Sequence, residues 1–414
     1  MPETTAIKKP IQGKKLAWLL TLLYFASYIT RRTFSTVISE VVLDTGIDKD
    51  TLAIVAVCMT ITYGVGQIIS GRLGDKFKPT NLILIGLSIA TAANVIFPFL
   101  SGSVVAMAIL WGINGFAQSM MWPPIVRILV ANCDDALYGY SVVRVSWGSS
   151  FAKILLFLAA PLVILVTGSW TSLFFVAAVL GLLTTVFWGL IRSRVNCNVP
   201  TADGSTSDAP KKEKLRVPAA AILPLIFIIL GIIFQGMLRD GVDIWMPSFL
   251  IDVHSAESAV AILTGVFPAV FSIACFTVCG FLYKKCFKNE VVCGGVVFAV
   301  SVVASAVLLI FFGKSTVLSI VAMTLITGCM HGVNLMLITH VPKRFKKHGN
   351  ISTFAGVVNA CTYVGEAIFT YGIALLQKQF DWRFCIGIIL IIAVLGTVCC
   401  FIAAAPWKRF YEKD

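Results

Sequence analysis

Charged side chains are scarce in this 414-residue chain. Asp, Glu, Lys and Arg make up 13% of it, whereas 58% of the residues are hydrophobic. A soluble globular protein carries about 25% charged residues. The shortage of charge therefore excludes an ordinary soluble domain and indicates a polytopic membrane protein. The formal net charge of +13 does not by itself imply nucleic-acid binding, because most basic residues lie in loops between apolar runs. We expect no nucleic-acid partner.

Several patterns that build chemical sites are also missing. The 12 cysteines form no CxxC pair, so the sequence predicts neither a zinc site nor a disulfide framework. We find no nucleophile–base constellation, no set of metal ligands and no glycine-rich phosphate loop with its lysine. Residues 1–15 are polar, and the apolar run after them is of membrane-spanning length and lacks a small-residue cleavage site. We therefore do not expect a removable signal peptide. We expect neither an enzyme nor an ATP-driven pump, and no cofactor or metal.

Twelve apolar runs of about membrane-spanning length follow one another, the first at 16–41 and the last at 383–406. One long polar stretch, residues 192–216, has the composition of a flexible linker. The sequence predicts an all-α membrane protein with twelve transmembrane helices in two pseudo-symmetric six-helix bundles. The predicted divisions are an N-terminal segment (1–15), an N-terminal bundle (16–191), a linker (192–217), a C-terminal bundle (218–406) and a tail (407–414).

Lysine and arginine are distributed unequally between the two sides of the predicted spans. The N-terminal segment, the loops after even-numbered runs and the C-terminus are basic. The opposite side has only Lys49, Lys314, Lys378 and Arg383. Since cytoplasmic loops carry the excess of Lys and Arg, both termini and the linker are predicted to be cytoplasmic. We expect a multi-pass protein of the plasma (inner) membrane.

Basic residues inside the predicted spans outnumber the acids there. The basic residues are Arg31, Arg32, Arg127, Arg144, Lys153 and Arg239, and the acids are chiefly Asp240, Asp243 and Glu366. Charges within a span are unfavourable unless they face a wet cavity or a partner. The surplus of positive charge favours an anionic ligand. The alternative is that the arginines satisfy buried acids and only help the helices pack.

Landmarks recur at a nearly constant offset. Arg31 and Arg239 are 208 residues apart, Gly71 and Gly280 are 209 apart, and Gly139 and Gly349 are 210 apart. Such an offset indicates two related halves, which many transporters arrange around a central substrate site. Arg31 and Arg239 would then face each other across a pseudo-two-fold axis. Paired guanidinium groups suit a tetrahedral, doubly charged oxyanion.

The segment Gly71-x-Leu73-x-Asp75-Lys76 resembles the loop signature of the major facilitator superfamily. Within that superfamily the chain is similar to the organophosphate:phosphate antiporters, which carry glycerol-3-phosphate and hexose phosphates. The matching residues are Tyr28 to Phe34, Trp122-Pro123-Pro124 with Arg127, Leu238-Arg239-Asp240-Gly241 with Trp245 and Pro247, and Tyr363-Val364-Gly365.

The resemblance implies that Arg31 and Arg239 grip the substrate's phosphate and that four tyrosines lie along the cavity. Those tyrosines are Tyr24, Tyr28, Tyr63 and Tyr363. The chain departs from the family at three positions, where Trp147, Gln67 and His331 replace a histidine, a lysine and a tyrosine. The resemblance thus predicts that Arg31 and Arg239 bind the phosphate, but it does not identify the organic group of the substrate.

Helical spacing supplies further candidates for substrate binding. Arg144 and Trp147 share a face of the fifth helix, and they either supply the positive charge that the absent histidine would provide or have no part in the site. Tyr63 and Gln67 are one turn apart, and either bond the organic group or only pack. His331 and Asn334, on the tenth helix, form part of either the site or the scaffold. Asn359 and Tyr363 form a stripe with Glu366 on the eleventh helix.

The remaining charged residues are expected to form ion pairs or gates. We expect Asp240 and Asp243 to balance Arg32, because a buried charge usually needs a partner. Glu366 either pairs with a base such as Lys153 or carries a proton. By their positions near the ends of the second and fourth helices, Asp75 and Arg127 are expected to latch the outward-facing state. Pro123 and Pro124 should bend the fourth helix.

These expectations converge on a carrier that exchanges inorganic phosphate for a phosphorylated small metabolite, working as a monomer in the bilayer. Two rival hypotheses remain open from the sequence. One is a proton-coupled symporter of an organic anion such as a sugar acid, using Glu366 or His331. The other is a transporter-like membrane sensor that binds sugar phosphate and signals to a partner kinase.

Overall fold

The computed structural model describes residues 10–197, 217–348 and 351–413, and in this part of the chain regular structure is entirely helical. Twelve long helical segments follow one another. They are α1 (Lys14–Thr45), α2 (Lys49–Lys76), α3 (Pro79–Leu100), α4 (Val104–Asn132), α5 (Asp135–Thr167), α6 (Thr171–Arg194), α7 (Ala219–His254), α8 (Val266–Phe287), α9 (Glu290–Ile310), α10 (Thr316–Arg344), α11 (Ile351–Gln379) and α12 (Trp382–Lys413). A short helix, Ser258–Leu263, precedes α8.

The twelve segments correspond in order to the twelve predicted runs. Ten of them are long and apolar enough to cross a membrane by length and composition. The other two, α1 and α11, carry polar side chains among their apolar residues. Arg31 and Arg32 lie in α1, whereas Asn359 and Glu366 lie in α11. Polar residues of this kind are expected on helices that border a central site.

In the described part of the chain, four segments contain an interruption or a π-helical turn. The fourth is interrupted between Val104–Gln118 and Trp122–Asn132, so that Pro123 and Pro124 fall in the first turn of the second piece. Proline is tolerated there because those backbone N–H groups have no helical partner. The predicted bend is thus an interruption just before the prolines. α7 and α10 contain π-helical turns at Met237–Gly241 and Leu335–His340, and α8 ends in one at Tyr283–Phe287.

The halves pack internally and then against each other, chiefly through two helix pairs. α1 packs on α5 and α6, and α7 packs on α11 and α12. Between the halves, α2 packs on α11 and α5 packs on α8. A two-fold relation of α2 to α8 and of α5 to α11 exchanges these two interfaces, in agreement with the repeat. Gly71 allows close approach, since a Cβ there would lie 2.7 Å from the backbone oxygen of Ser352.

Contacts between the halves close the end of the molecule that carries the chain termini. Asp75 accepts hydrogen bonds from the backbone N–H of Ser352 at 3.0 Å and of Thr353 at 2.7 Å, at the start of α11. The Tyr138 hydroxyl donates to the backbone oxygen of Thr339 at 2.7 Å. These contacts close the structure at the terminus side.

Gly349, one member of the third repeat landmark, and most of the predicted linker lie outside the described residues.

Candidate substrate site

A polar cavity lies between the two halves and is lined by side chains from both. On α1 and α4 its walls are Tyr24, Tyr28, Arg32 and Trp122. The space open to the centre of a water-sized sphere is about 30 Å³. One such sphere needs roughly 10–15 Å³. The cavity thus has room for only two or three water molecules, and a larger guest requires the halves to move apart.

Arg31 lies behind this wall, enclosed by aromatic rings. Its guanidinium carbon is 3.7 Å from the ring centroid of Tyr63, 5.4 Å from that of Tyr28 and 5.7 Å from that of Tyr363. Nη2 donates a long hydrogen bond of 3.4 Å to the Tyr363 hydroxyl, whereas the buried Nε finds no acceptor in the described part of the chain. Ring faces stabilise a cation without neutralising it. Arg31 therefore keeps its full charge beside Tyr363, which itself lines the cavity.

Arg32 lines the cavity directly, which the sequence analysis did not expect. Among the described residues no carboxylate lies within ion-pair distance of it, and its buried Nε has no acceptor. The predicted direct pairing with Asp240 and Asp243 is not observed, because each of those acids has another cation as its direct partner, although Arg32 is a charged neighbour of both.

Arg239 on α7 is paired with the next residue in the chain. Both Nε and Nη2 donate to Oδ2 of Asp240, the first at 2.8 Å, and both side chains line the cavity. Consecutive residues of a regular α-helix point about 100° apart. The π-helical turn Met237–Gly241 contains both, and it alters the spacing of side chains around the helix. The described residues provide no acceptor for Nη1 of Arg239.

Lys153 and Asp243 form a looser pair across the two halves. The Lys153 Nζ is 3.9 Å from Oδ2 of Asp243, at the outer limit of an ion pair. Of the two alternatives for Glu366, the pairing with Lys153 is therefore not observed. Within the described part of the chain Glu366 makes no ion pair, although Arg32 and Arg239 are among its charged neighbours.

The α5 wall of the cavity is a serine stripe that sequence reasoning missed. Ser146, Ser149, Ser150 and Lys153 are spaced i, i+3, i+4 and i+7, so they lie on one helical face. The Ser150 hydroxyl is 2.7 Å from that of Ser272 on α8 and links the two halves. The spacing of small polar residues ahead of a lysine was a usable signal in the sequence.

The C-terminal half supplies the opposite wall. His331 and Asn334 from α10, and Asn359 and Tyr363 from α11, all line the cavity. The ring of His331 packs against Phe276, with centroids 5.5 Å apart. These four residues thus lie where the helical spacing placed them, and their hydroxyl, amide and imidazole groups suit a polar guest.

Besides Arg31, four residues predicted to bind substrate do not line the cavity, and neither does Arg127, which was predicted to act as a gate. Tyr63 supports Arg31 and packs edge-on against Tyr363, with centroids 4.7 Å apart. Gln67 is fully buried in the packing of α2, with only a 3.5 Å contact to the backbone oxygen of Ser119. Arg144 and Trp147 face away from the cavity and contact each other at 3.8 Å, guanidinium carbon to ring centroid. Arg127 binds the backbone oxygen of Gly74, beside Asp75.

The family profile of the Major Facilitator Superfamily matches residues 20–370. The chain belongs to this superfamily. The resemblance inferred from the sequence is thereby confirmed, as is the fold class, and the protein is a multi-pass membrane transporter by family and by fold.

Individual relatives agree with the assignment. The chain is 24% identical over 389 residues to the glycerol-3-phosphate transporter of Bacillus subtilis, covering 87% of this chain and 85% of that protein. It is 34% identical over 115 residues to a probable hexose phosphate transport protein of Chlamydia trachomatis serovar D, covering 28% of this chain. That alignment spans 25%, about a quarter, of the relative's length. The crystal structure of FucP in its outward conformation matches 94% of this chain and 98% of that chain, with a TM-score of 0.74 at 11% identity, which shows the shared fold.

Proposed function

We propose that this superfamily member exchanges inorganic phosphate for a phosphorylated small metabolite of the sugar-phosphate or glycerol-3-phosphate class. The observation that carries the proposal is that neither Arg31 nor Arg32 has a carboxylate within ion-pair distance among the described residues. Arg31 is buried and Arg32 is half-buried. Cations that are held away from water without a direct ion-pair partner favour binding of an anion. The printed names of the relatives, a glycerol-3-phosphate transporter and a probable hexose phosphate transport protein, favour an organophosphate as that anion.

In this proposal the phosphate binds between Arg31 and Arg239, one from each half. It replaces the Asp240 carboxylate on Nε and Nη2 of Arg239, since both anions accept the same fork of N–H groups. It reaches Arg31 when Tyr363, now the acceptor of a long 3.4 Å hydrogen bond, moves aside. Arg32 and Lys153 add positive charge at the cavity wall.

The organic group is assigned to the uncharged polar wall. Ser146 and Ser149 lie on one side, and Asn334 and Asn359 on the other. Hydroxyl and amide groups donate and accept hydrogen bonds, so they match the hydroxyls of a sugar or glycerol.

Transport follows from rocking of the halves, residues 16–191 and 218–406, around this site. The hydrogen bonds that Asp75 accepts from the start of α11 hold the terminus side shut, which we take to be the cytoplasmic side. An anion neutralises Arg31 and Arg32 and lets the halves close over them. Mutual repulsion of Arg31 and Arg239 contributes little to exchange, because Asp240 already neutralises Arg239.

The test is uptake of phosphorylated and carboxylated metabolites into proteoliposomes with and without internal phosphate. The proposal expects uptake of a phosphorylated metabolite that internal phosphate accelerates. Carboxylate uptake driven by a proton gradient and indifferent to internal phosphate would establish the symporter instead. Substrate binding without flux would establish the sensor.

A further inference from the structure

Arg144 lies on the face of α5 opposite the serine stripe, among aromatic side chains of α1 and α5. Its guanidinium carbon is 3.8 Å from the ring centroid of Trp147, 4.9 Å from that of Tyr140 and 5.7 Å from that of Trp18. The Nζ of Lys14 is 5.6 Å from the Tyr140 ring. We call Lys14, Trp18, Tyr140, Arg144 and Trp147 the Arg144 cluster.

The cluster opens onto the lateral surface of the protein. Trp18 is 48% exposed, and one turn further along the same helix faces Leu22 and Phe151 are 42% and 44% exposed. Trp147 contacts Phe151, with ring centroids 6.3 Å apart. Large exposed apolar side chains on a membrane-spanning helix face acyl chains. The cluster is therefore in contact with lipid, not with the substrate cavity.

The Arg144 cluster lies at the depth where the lipid headgroups meet the acyl chains. α1 begins at Lys14 and α5 at Asp135, on the terminus side, so Trp18 lies in the second turn of α1 and Arg144 in the third turn of α5. Helical side chains lean toward the N-terminus of their helix. The Arg144 side chain is thus directed toward the nearby membrane surface, where tryptophan and tyrosine are enriched.

The cluster carries positive charge without an internal partner. Neither Arg144 nor Lys14 lies within ion-pair distance of a carboxylate in the part of the chain that the structure describes. The buried Nε of Arg144 and the buried indole Nε1 of Trp147 both lack an acceptor. A buried donor without an acceptor is unfavourable, so an anion that packs against this guanidinium and indole would stabilise them.

We propose that the Arg144 cluster binds the phosphate of an anionic phospholipid in the leaflet on the terminus side. The phosphodiester oxygens accept from the Arg144 guanidinium and the Trp147 indole N–H. Lys14 attracts the net negative charge of the headgroup. The acyl chains lie along Trp18 and Phe151. This binding site is separate from the cavity and does not depend on the proposed function.

Tryptophan quenching by brominated lipid tests this inference. The full chain is reconstituted in phosphatidylcholine vesicles that contain the same mole fraction of either phosphatidylglycerol or phosphatidylcholine with brominated acyl chains. Variants W18F and W147F isolate the quenching at the cluster. The expected result is stronger quenching by brominated phosphatidylglycerol, with the difference lost in Arg144→Gln and reduced in Lys14→Gln.

The matched control is Lys285→Gln, which removes an exposed terminus-side cation from α8 and should leave the difference intact. Should Arg144→Gln fail to insert, the wild-type comparison and Lys14→Gln decide the matter. Equal quenching by the two lipids in the wild type would overturn the proposal. Loss of the difference on adding inorganic phosphate would assign the site to a free anion instead of a lipid.

Discussion

Asp240 neutralises Arg239, the residue directly before it, by accepting from both Nε and Nη2 through a single carboxylate oxygen. The pair lines the cavity, so the arginine expected to hold phosphate already holds an internal anion. Asp240 and a phosphate ligand therefore compete for the same two N–H groups of Arg239.

Substitution Asp240→Asn should tighten phosphate binding by about tenfold. A hydrogen bond to a charged group contributes about 1.5–3 kcal/mol, and 1.4 kcal/mol corresponds to tenfold in affinity. Equilibrium binding of labelled phosphate to the purified protein measures the change. Asp252→Asn serves as the control, because Asp252 bonds Gln377 and Trp382 at another end of the protein. Weaker phosphate binding in Asp240→Asn would show that Asp240 organises the site.

Replacing Arg31 by lysine should reduce transport about a hundredfold while membrane insertion stays normal. Lysine keeps the charge but loses the planar fork that binds an oxyanion through two parallel hydrogen bonds and stacks against tyrosine. Initial rates of exchange at matched protein density provide the measurement. Arg72→Lys, at an exposed position on α2, is the control and should transport normally. Uptake by Arg31→Lys at the wild-type rate would remove Arg31 from the site.

Removal of Lys153 should lower stability, and a second substitution at Asp243 should restore most of the loss. Lys153→Met leaves the Asp243 carboxylate without its partner at 3.9 Å. We expect a loss of about 1–2 kcal/mol, below the usual 3–5 kcal/mol for a fully buried pair, because Asp243 is 29% exposed. Thermal unfolding of Lys153→Met, Asp243→Asn and the double variant completes the cycle. Additive losses would mean that the two side chains do not interact.

Substitution Asp75→Ala should open the terminus side. It removes the acceptor for the N–H groups of Ser352 and Thr353, which join α2 to α11. Nitroxides at Lys76→Cys and at the exposed Cys286, in a background without other reactive cysteines, report the separation of the halves by electron paramagnetic resonance. The variant should populate longer distances than the parent protein. An unchanged distance distribution would show that other contacts alone hold this side closed.

The fold followed from the sequence because a membrane imposes one dominant rule, a run of about 20 apolar residues for each span. The rotation of each helix about its own axis could not be predicted from the sequence. Arg144 and Trp147 were expected at the cavity, yet Ser146, Ser149 and Lys153 lie there. Tertiary packing sets this rotation, as at Gly148, where a Cβ would come within 2.7 Å of the backbone oxygen of Thr21 on α1.

The ion pairs were mispredicted for a related reason. A regular helix of 3.6 residues per turn would place Gln235, Arg239 and Asp243 on one face. The π-helical turn at Met237–Gly241 breaks that spacing. Gln235 is instead buried and bonds the backbone oxygen of Met330 at 3.1 Å. A sequence pattern alone does not reveal a π-turn, so the pairing of Arg239 with Asp240 required the structure.

The most direct measurement is uptake of radiolabelled phosphate into proteoliposomes that contain the purified protein and unlabelled phosphate, compared with vesicles that contain none. The proposal predicts rapid uptake that depends on internal phosphate, because an anion must neutralise Arg31 and Arg32 before the halves close. Uptake at the same rate in both kinds of vesicle, or no uptake by a correctly inserted protein, would contradict it.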